Sequence, residues 1–130
     1  MGKRYLLDTN IIIYYLGGFL QGTAREFIDS VLLHQPNISI ISKIELFAWT
    51  RPSPSDINQL SEFTLSANTI NLNDEVVNQT IFIRKYYKKL KLPDAIIAAT
   101  CISDNLTLIT RNAIDFRNVD PLEVINPFEL

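Results

Sequence analysis

The sequence predicts an α/β domain of three layers, α/β/α, around a central parallel sheet. Short β-rich runs alternate with segments of helical periodicity, the order in which parallel strands are joined by covering helices. Runs such as Asn37-Ile38-Ser39-Ile40-Ile41 are apolar on both sides, as the strands of a doubly covered sheet must be. A hydrophobic content of 47% in 130 residues supplies a full core.

The first strand is read over Arg4 to Asp8, around the apolar run Tyr5-Leu6-Leu7. Ile11 to Leu16 continues it as strand or as helix, and periodicity alone leaves both open. Helical spacing returns over Thr23 to Leu33, and Asn37 to Ile41 forms the second strand. Lys43 to Trp49 reads as a helix. The stretch from Trp49 to Asp56 is the clearest loop, because Pro52 and Pro54 stop one helix and permit another to start at Pro54 or Ser55. That helix runs over Asp56 to Leu65, followed by a third strand at Thr69 to Leu72 and a long helix at Asp74 to Leu90. A further helix covers Asp94 to Ile102. Strands at Leu106 to Thr110 and Glu123 to Ile125 complete the sheet.

The whole chain, 1–130, is read as one domain. Its apolar stretches are cut by charges or Gly well before the roughly 18 residues that a membrane span needs. Asp8 falls inside the only segment that could serve as the apolar part of a signal peptide, so a soluble cytoplasmic protein with no membrane partner is expected. Cys101 is the only cysteine and His34 the only histidine, which excludes an intrachain disulfide and a Cys/His zinc site. Both residues read as structural. A net charge of −2 and a pI near 5.3 argue against coating nucleic acid through bulk charge, and leave room for a local basic patch.

Four acids fall at strand-to-helix junctions. Asp8 ends the first strand, Glu45 follows the second within the first turn of its helix, Asp94 opens a helix, and Asp115 follows the strand that ends at Thr110. In a parallel sheet, ligands bind at the carboxyl ends of the strands near a topological switch point. Taken singly, each acid reads first as a helix cap. Ser42 to Glu45 has the form of a capping box, Asn112 to Asp115 resembles another, Asp8 and Asn10 are good caps, and Pro93-Asp94 suits a first turn.

Their conjunction is harder to explain that way. The helix that Asp94 opens is apolar on nearly all sides, and Asp8 lies between two apolar runs, so both carboxylates should be only partly solvated. Carboxylates gathered in one partly dry cleft repel each other unless a cation neutralises them. An all-oxygen donor set with no His or Cys points to a hard divalent ion, Mg2+ or Mn2+. Such a site suits phosphodiester hydrolysis, because the ion stabilises phosphoryl charge and activates water.

The ordered set Asp8-Thr9-Asn10, Glu45-Leu46, Asp94-Ala95 and Thr110-Arg111-Asn112 to Asp115-Phe116 resembles the PIN-domain family, and most of all the VapC-type toxin ribonucleases of VapBC toxin-antitoxin pairs. The resemblance covers nearly the whole chain. It implies a PIN-like fold and a Mg2+-dependent endoribonuclease acting on an RNA substrate. Asp8, Glu45, Asp94 and Asp115 would form its catalytic, metal-holding cluster, with Thr9, Asn10, Thr110 and Asn112 in supporting contact. It also implies a homodimer or higher homo-oligomer and a small cognate VapB-type antitoxin that binds the active-site groove.

Arg84, Lys85, Lys88, Lys89 and Lys91 form a basic run just before Asp94 that suits RNA phosphates, with Tyr86 or Tyr87 free to stack on a base. The same run equally suits a solvated helix end. Arg111 joins it as an RNA contact, and balancing the acids or capping a strand are its alternatives. Tyr14, Tyr15, Phe19, Phe47 and Trp49 suggest core packing or an aromatic patch for a partner. Three other functions compete. A phosphohydrolase with Asp8 as nucleophile is one, although Asn10 stands where the haloacid-dehalogenase pattern has a second Asp. A receiver-like module lacks an acid at the end of the second strand. A non-catalytic PIN-like module binding RNA or protein has no need of four acids.

Overall fold

The structure, a computed structural model, describes residues 3–49 and 53–130. Strands β1 (Tyr5–Leu7), β2 (Asn37–Ser39), β3 (Asn68–Ile70), β4 (Thr107–Ile109) and β5 (Val124–Ile125) form one parallel sheet in the order β3-β2-β1-β4-β5. The helices are α1 (Thr9–Leu16), α2 (Gly22–Leu32), α3 (Ile40–Ala48), α4 (Pro54–Ser66), α5 (Asp74–Tyr86), α6 (Leu92–Asp104) and the single turn α7 (Ala113–Phe116). A 3-10 turn at Pro127–Glu129 follows β5.

Alternation along each strand makes the three layers. Leu6 of β1 and Leu108 of β4 enter one core with Val76 and Ile83 of α5, Ile97 of α6 and Phe116 of α7. Leu7 and Ile109, one residue on, enter the opposite core with Ile11 and Ile12 of α1, Ile28 of α2, Leu46 of α3 and Leu60 of α4. Successive side chains of a strand point to opposite faces, so both faces of the sheet are buried and helices cover each. Pairing of Leu6 with Leu108 and of Leu7 with Ile109 keeps the two cores in register. From β1 the chain adds β2 and β3 on one side, and β4 then returns to the other side of β1. The order therefore reverses between β1 and β4, the switch point beyond whose carboxyl ends a parallel sheet has its ligand-binding crevice.

Ile11 to Leu16, open between strand and helix in sequence, is helix. Several boundaries differ from the sequence reading. Strand β2 ends at Ser39, whose hydroxyl accepts from Ile41 N and caps α3, so Ile40 and Ile41 belong to the helix. The helix after Asn73 stops at Tyr86 and not at Leu90. Tyr87 N still donates to Ile83 O, and Leu90 N donates to Tyr87 O to close a turn. The turn lets α6 pack back on α5, with Pro93 near the start of α6 where its missing N–H costs nothing. Asn105, in the left-handed conformation at φ 56°, ends α6 and redirects the chain into β4. Of the loop expected between Trp49 and Asp56, residues 50–52 lie outside the described ones. At its end Ser53 and Asp56 form a capping box that starts α4, with Pro54 in its first turn.

Candidate active site

Asp8 is placed by the end of β1. Its backbone N donates to Ile109 O at 2.9 Å, extending the β1–β4 pairing by one residue. In that extended conformation Oδ1 accepts from Thr9 N at 2.8 Å and caps α1, while Oδ2 accepts from Thr110 Oγ1 at 2.7 Å. Asp8 is thus a helix cap and a member of the crevice at once. Thr110 is fully buried, and its hydroxyl is saturated: it donates to Asp8 and accepts from Asn112 N at 3.1 Å and Asn10 Nδ2 at 3.4 Å. Asn10 also reaches Asp8 Oδ2 at 3.4 Å, and its Oδ1 accepts from Arg111 N at 3.3 Å.

Glu45 lies in the second turn of α3, exposed, and not in a first-turn capping box as its sequence context suggested. The box fails because Ser39 takes the cap, which moves Ser42 inside the helix, where it is fully buried. Thr9 Oγ1 lies 2.7 Å from Glu45 Oε1 and 2.9 Å from Ser42 Oγ. Its single proton goes to the carboxylate, the better acceptor, which leaves the Ser42 hydroxyl to donate to Thr9. Ser42 is therefore a supporting residue that the cap-like sequence pattern hid. The second expected box is absent too. Asn112 makes no side-chain cap on α7, and Asp115 N donates to the Asn112 backbone carbonyl at 3.0 Å.

Asp94 lies in the first turn of α6, half-buried, and Asp115 is exposed on α7. The four acids are close enough to feel one another. Burial, then the charges of Asp8, Glu45 and Asp115, push the Asp94 carboxyl up to about 6, against a smaller opposing effect of Lys91. Burial also raises Asp8, opposed by its bonds from Thr110 and Thr9 N and reinforced by Glu45. The carboxylates share a field without meeting at a point. Among the described residues, no three His, Cys, Asp or Glu side chains are already drawn into a cation-ligating group. The donor set itself, carboxylate oxygen throughout, fits a hard divalent ion, and mutual repulsion gives the reason for one to bind.

A groove of about 710 Å³ runs past two of the acids, Asp94 and Asp115, and is lined also by Tyr86 at the end of α5, by Lys88, Lys89 and Lys91 of the α5–α6 connection and by Asn118. Lys88, Lys89 and Lys91 occupy that connection and not the end of a continuous helix, whereas Arg84 and Lys85 lie in the last turn of α5. Arg84 donates to Leu90 O at 2.6 Å and so ties the turn together. Tyr86 is exposed against Phe82, their ring centroids 4.7 Å apart, and Tyr87 is half-buried on the core. The Arg111 guanidinium lies over the rings of Tyr14 and Phe128, which themselves touch, with its carbon 5.2 and 4.7 Å from their centroids. The sequence reading missed Phe128 and Asn126, whose signal was the turn-forming run Asn126-Pro127.

Phe19, Phe47 and Trp49 are exposed, and Tyr14 and Tyr15 are half-buried. A cleft of about 170 Å³ opens among α1, α3 and α4, lined by Ile13, Leu16, Phe19, Leu46, Trp49 and Leu60. Cys101 is buried, which pushes its thiol up. Among the described residues, no helix is long and apolar enough to cross a membrane.

Known structures share this architecture. A toxin-antitoxin complex from Klebsiella pneumoniae is similar at 30% identity, covering 97% of this chain and 99% of that one, with a TM-score of 0.77. VapBC-1 from nontypeable Haemophilus influenzae is 24% identical over 95% of this chain and 98% of that one, with a TM-score of 0.81. DNA-bound VapBC from Salmonella typhimurium is 20% identical over 97% and 99%, with a TM-score of 0.82. At 24% and 20% identity the likeness is one of fold. Among curated proteins, none matches the chain significantly. Residues 5–122 match the PIN domain family model, from the first residue of β1 to two residues short of β5, and this chain belongs to the PIN domain family.

Proposed function

We propose that this chain is a VapC-type toxin, an endoribonuclease that hydrolyses RNA phosphodiester bonds with Mg2+ or Mn2+ and is restrained by a cognate VapB-type antitoxin. The observation that carries the reading is the electrostatic conjunction of Asp8, Glu45, Asp94 and Asp115 beyond the switch point, where Asp94 is pushed up to about 6 by burial and its three acidic neighbours. Four acids that merely capped helices would have no reason to lie close enough to share one field where Asp8 is buried and Asp94 half-buried.

Asp8 and Asp94 would hold the ion, and Glu45 and Asp115 complete the cluster or orient its waters. When bound, a divalent cation stabilises charge on a phosphoryl group and makes water a better nucleophile. Thr110 keeps the Asp8 carboxylate in one orientation, and Thr9 does the same for Glu45. Water attacks phosphorus and the P–O bond to the leaving ribose oxygen breaks. Lys88, Lys89 and Lys91 contact flanking phosphates along the groove. No side-chain nucleophile is required.

Toxin-antitoxin relatives support an antitoxin partner, and the apolar cleft among α1, α3 and α4 is the surface that suits one. A homodimer in the cytoplasm completes the proposal. The test is cleavage of defined RNAs by purified protein with Mg2+, with Mn2+ and in EDTA. Cleavage with either ion and none in EDTA is expected, and undiminished cleavage in EDTA would overturn the metal-dependent reading.

A further inference from the structure

Arg111 is fixed in place through both its backbone and its side chain. It follows Thr110 directly, and its backbone is tied at both ends, by N–H donation to Asn10 Oδ1 at 3.3 Å and by its carbonyl accepting from Asn126 Nδ2 at 3.2 Å. Its exposed guanidinium lies against two aromatic faces, Tyr14 of α1 and Phe128 of the C-terminal 3-10 turn, and these rings meet edge-on with centroids 5.7 Å apart. The turn is itself fixed. Asn126 Oδ1 accepts from Phe128 N at 3.0 Å, and Asn126 Nδ2 also reaches Glu129 at 3.3 Å.

Among the described residues the ion pairs are Lys3–Glu123 and Arg25–Asp29, so Arg111 has no carboxylate partner there. Balancing the acids by a direct ion pair is therefore not its role. Aromatic faces restrict a guanidinium while leaving its N–H fork free, and that fork matches the oxygens of a phosphate. Position matters as well. The lysines of the groove come from the α5–α6 side of the sheet, whereas Arg111 leans toward α1, on the opposite side, with Asp8 and Thr110 between.

We infer that Arg111 is a preorganised phosphate contact for RNA on the flank of the acids opposite Lys88, Lys89 and Lys91, and that Phe128 of the C-terminal turn is its positioning residue. The inference rests on the nuclease reading and extends it. RNA then crosses the carboxyl edge of the sheet and is held by its phosphates on both sides of the bond to be cut. The final turn of the chain belongs to the substrate site, although it carries no reacting group.

The test measures binding of a fluorescent single-stranded oligoribonucleotide by the full chain in EDTA across a salt series, with cleavage in Mg2+ run beside it. Arg111→Gln should weaken binding about tenfold and reduce the magnitude of the log–log salt slope by about 0.7, the value for one phosphate on a single strand. Phe128→Leu should weaken binding about threefold, Phe128→Tyr should restore it, and Phe128→Leu should add nothing in an Arg111→Gln background. Wild-type affinity and slope in Arg111→Gln would overturn the inference without touching the nuclease reading, provided the wild type binds and cleaves. A Phe128→Leu loss that persists undiminished in the double variant would overturn it too, by showing that the ring itself contacts RNA. Were the wild type neither to bind nor to cleave, the nuclease reading would fall first and take this inference with it.

Discussion

Thr110 Oγ1 donates to Asp8 Oδ2 at 2.7 Å across 102 positions of sequence, and this bond joins the two halves of the crevice between β1 and β4. Neither residue could satisfy the other from its own segment. Because the hydroxyl is buried and its three hydrogen-bonding positions are all used, Thr110→Val takes the acceptor from Asn112 N and leaves Asp8 Oδ2 with only the long 3.4 Å bond from Asn10 Nδ2. We expect Thr110→Val to cost about 1 to 3 kcal/mol of stability in urea unfolding, the penalty for leaving buried polar groups unpaired, and Thr110→Ser to recover most of it. Equal stability of Thr110→Val and wild type would show that water replaces the hydroxyl.

Asp8→Asn separates the two jobs that Asp8 performs. Asn caps about as well as Asp, so the bond to Thr9 N survives in kind, while one of the mutually repelling charges disappears. Metal-free melting temperature should stay within a few degrees, relief of repulsion offsetting the lost Oδ2 acceptor of Thr110, and cleavage and the Mg2+-induced rise in melting temperature should both fall sharply. Asp94→Asn should behave alike. Near wild-type cleavage by both variants, with contaminating ribonuclease excluded, would return these residues to ordinary capping.

The pH dependence of the metal-free protein has a definite sign. The folded Asp94 holds its proton up to about 6, against an ordinary value of 3.8, so between those values the folded state binds a proton that the unfolded state has released. The stability this confers is fully present below 3.8 and is lost as pH rises through about 6. Asp8, raised by burial, acts in the same direction. Urea midpoints measured in EDTA between about pH 4 and pH 7 should decline in wild type and decline less in Asp94→Asn. Mg2+ must displace the Asp94 proton, so its stabilising effect should shrink below about pH 6. A parallel pH profile in the two proteins would rule out Asp94 as the source.

Lys88 and Lys89 lie in the α5–α6 connection and line the groove beside Asp94, which makes them candidates for binding and poor candidates for folding. Reversing both to Glu should leave the melting temperature within a few degrees and flatten the salt slope of RNA binding by about 0.7 for each phosphate that is no longer neutralised. An unchanged slope would mean that this turn is merely solvated.

Apolar run length, periodicity and turn chemistry are local properties, and they were enough to determine the alternation of strands and helices, the parallel sheet and the position of Asp8 at the end of β1. The places of Asp8 after β1 and Asp94 in the first turn of α6 were legible for the same reason, since each adjoins an element whose signal is local, whereas Glu45 falls a turn later in α3 than its context suggested. What only the tertiary structure decided is who meets whom. Ser42 looked like a cap because Glu45 follows it at capping-box spacing, but β2 stops pairing with β3 at Ser39, so Ser39 takes the cap and Ser42 turns inward to Thr9. The helix expected to reach Leu90 ends at Tyr86 because α6 must pack back against it, and that return places Lys88, Lys89 and Lys91 in a turn beside Asp94. Arg111 meets Tyr14 and Phe128 only because β4 lies next to β1 and β5 next to β4. Strand order follows from burying both faces of the sheet at once, a condition on the whole chain that no local window contains.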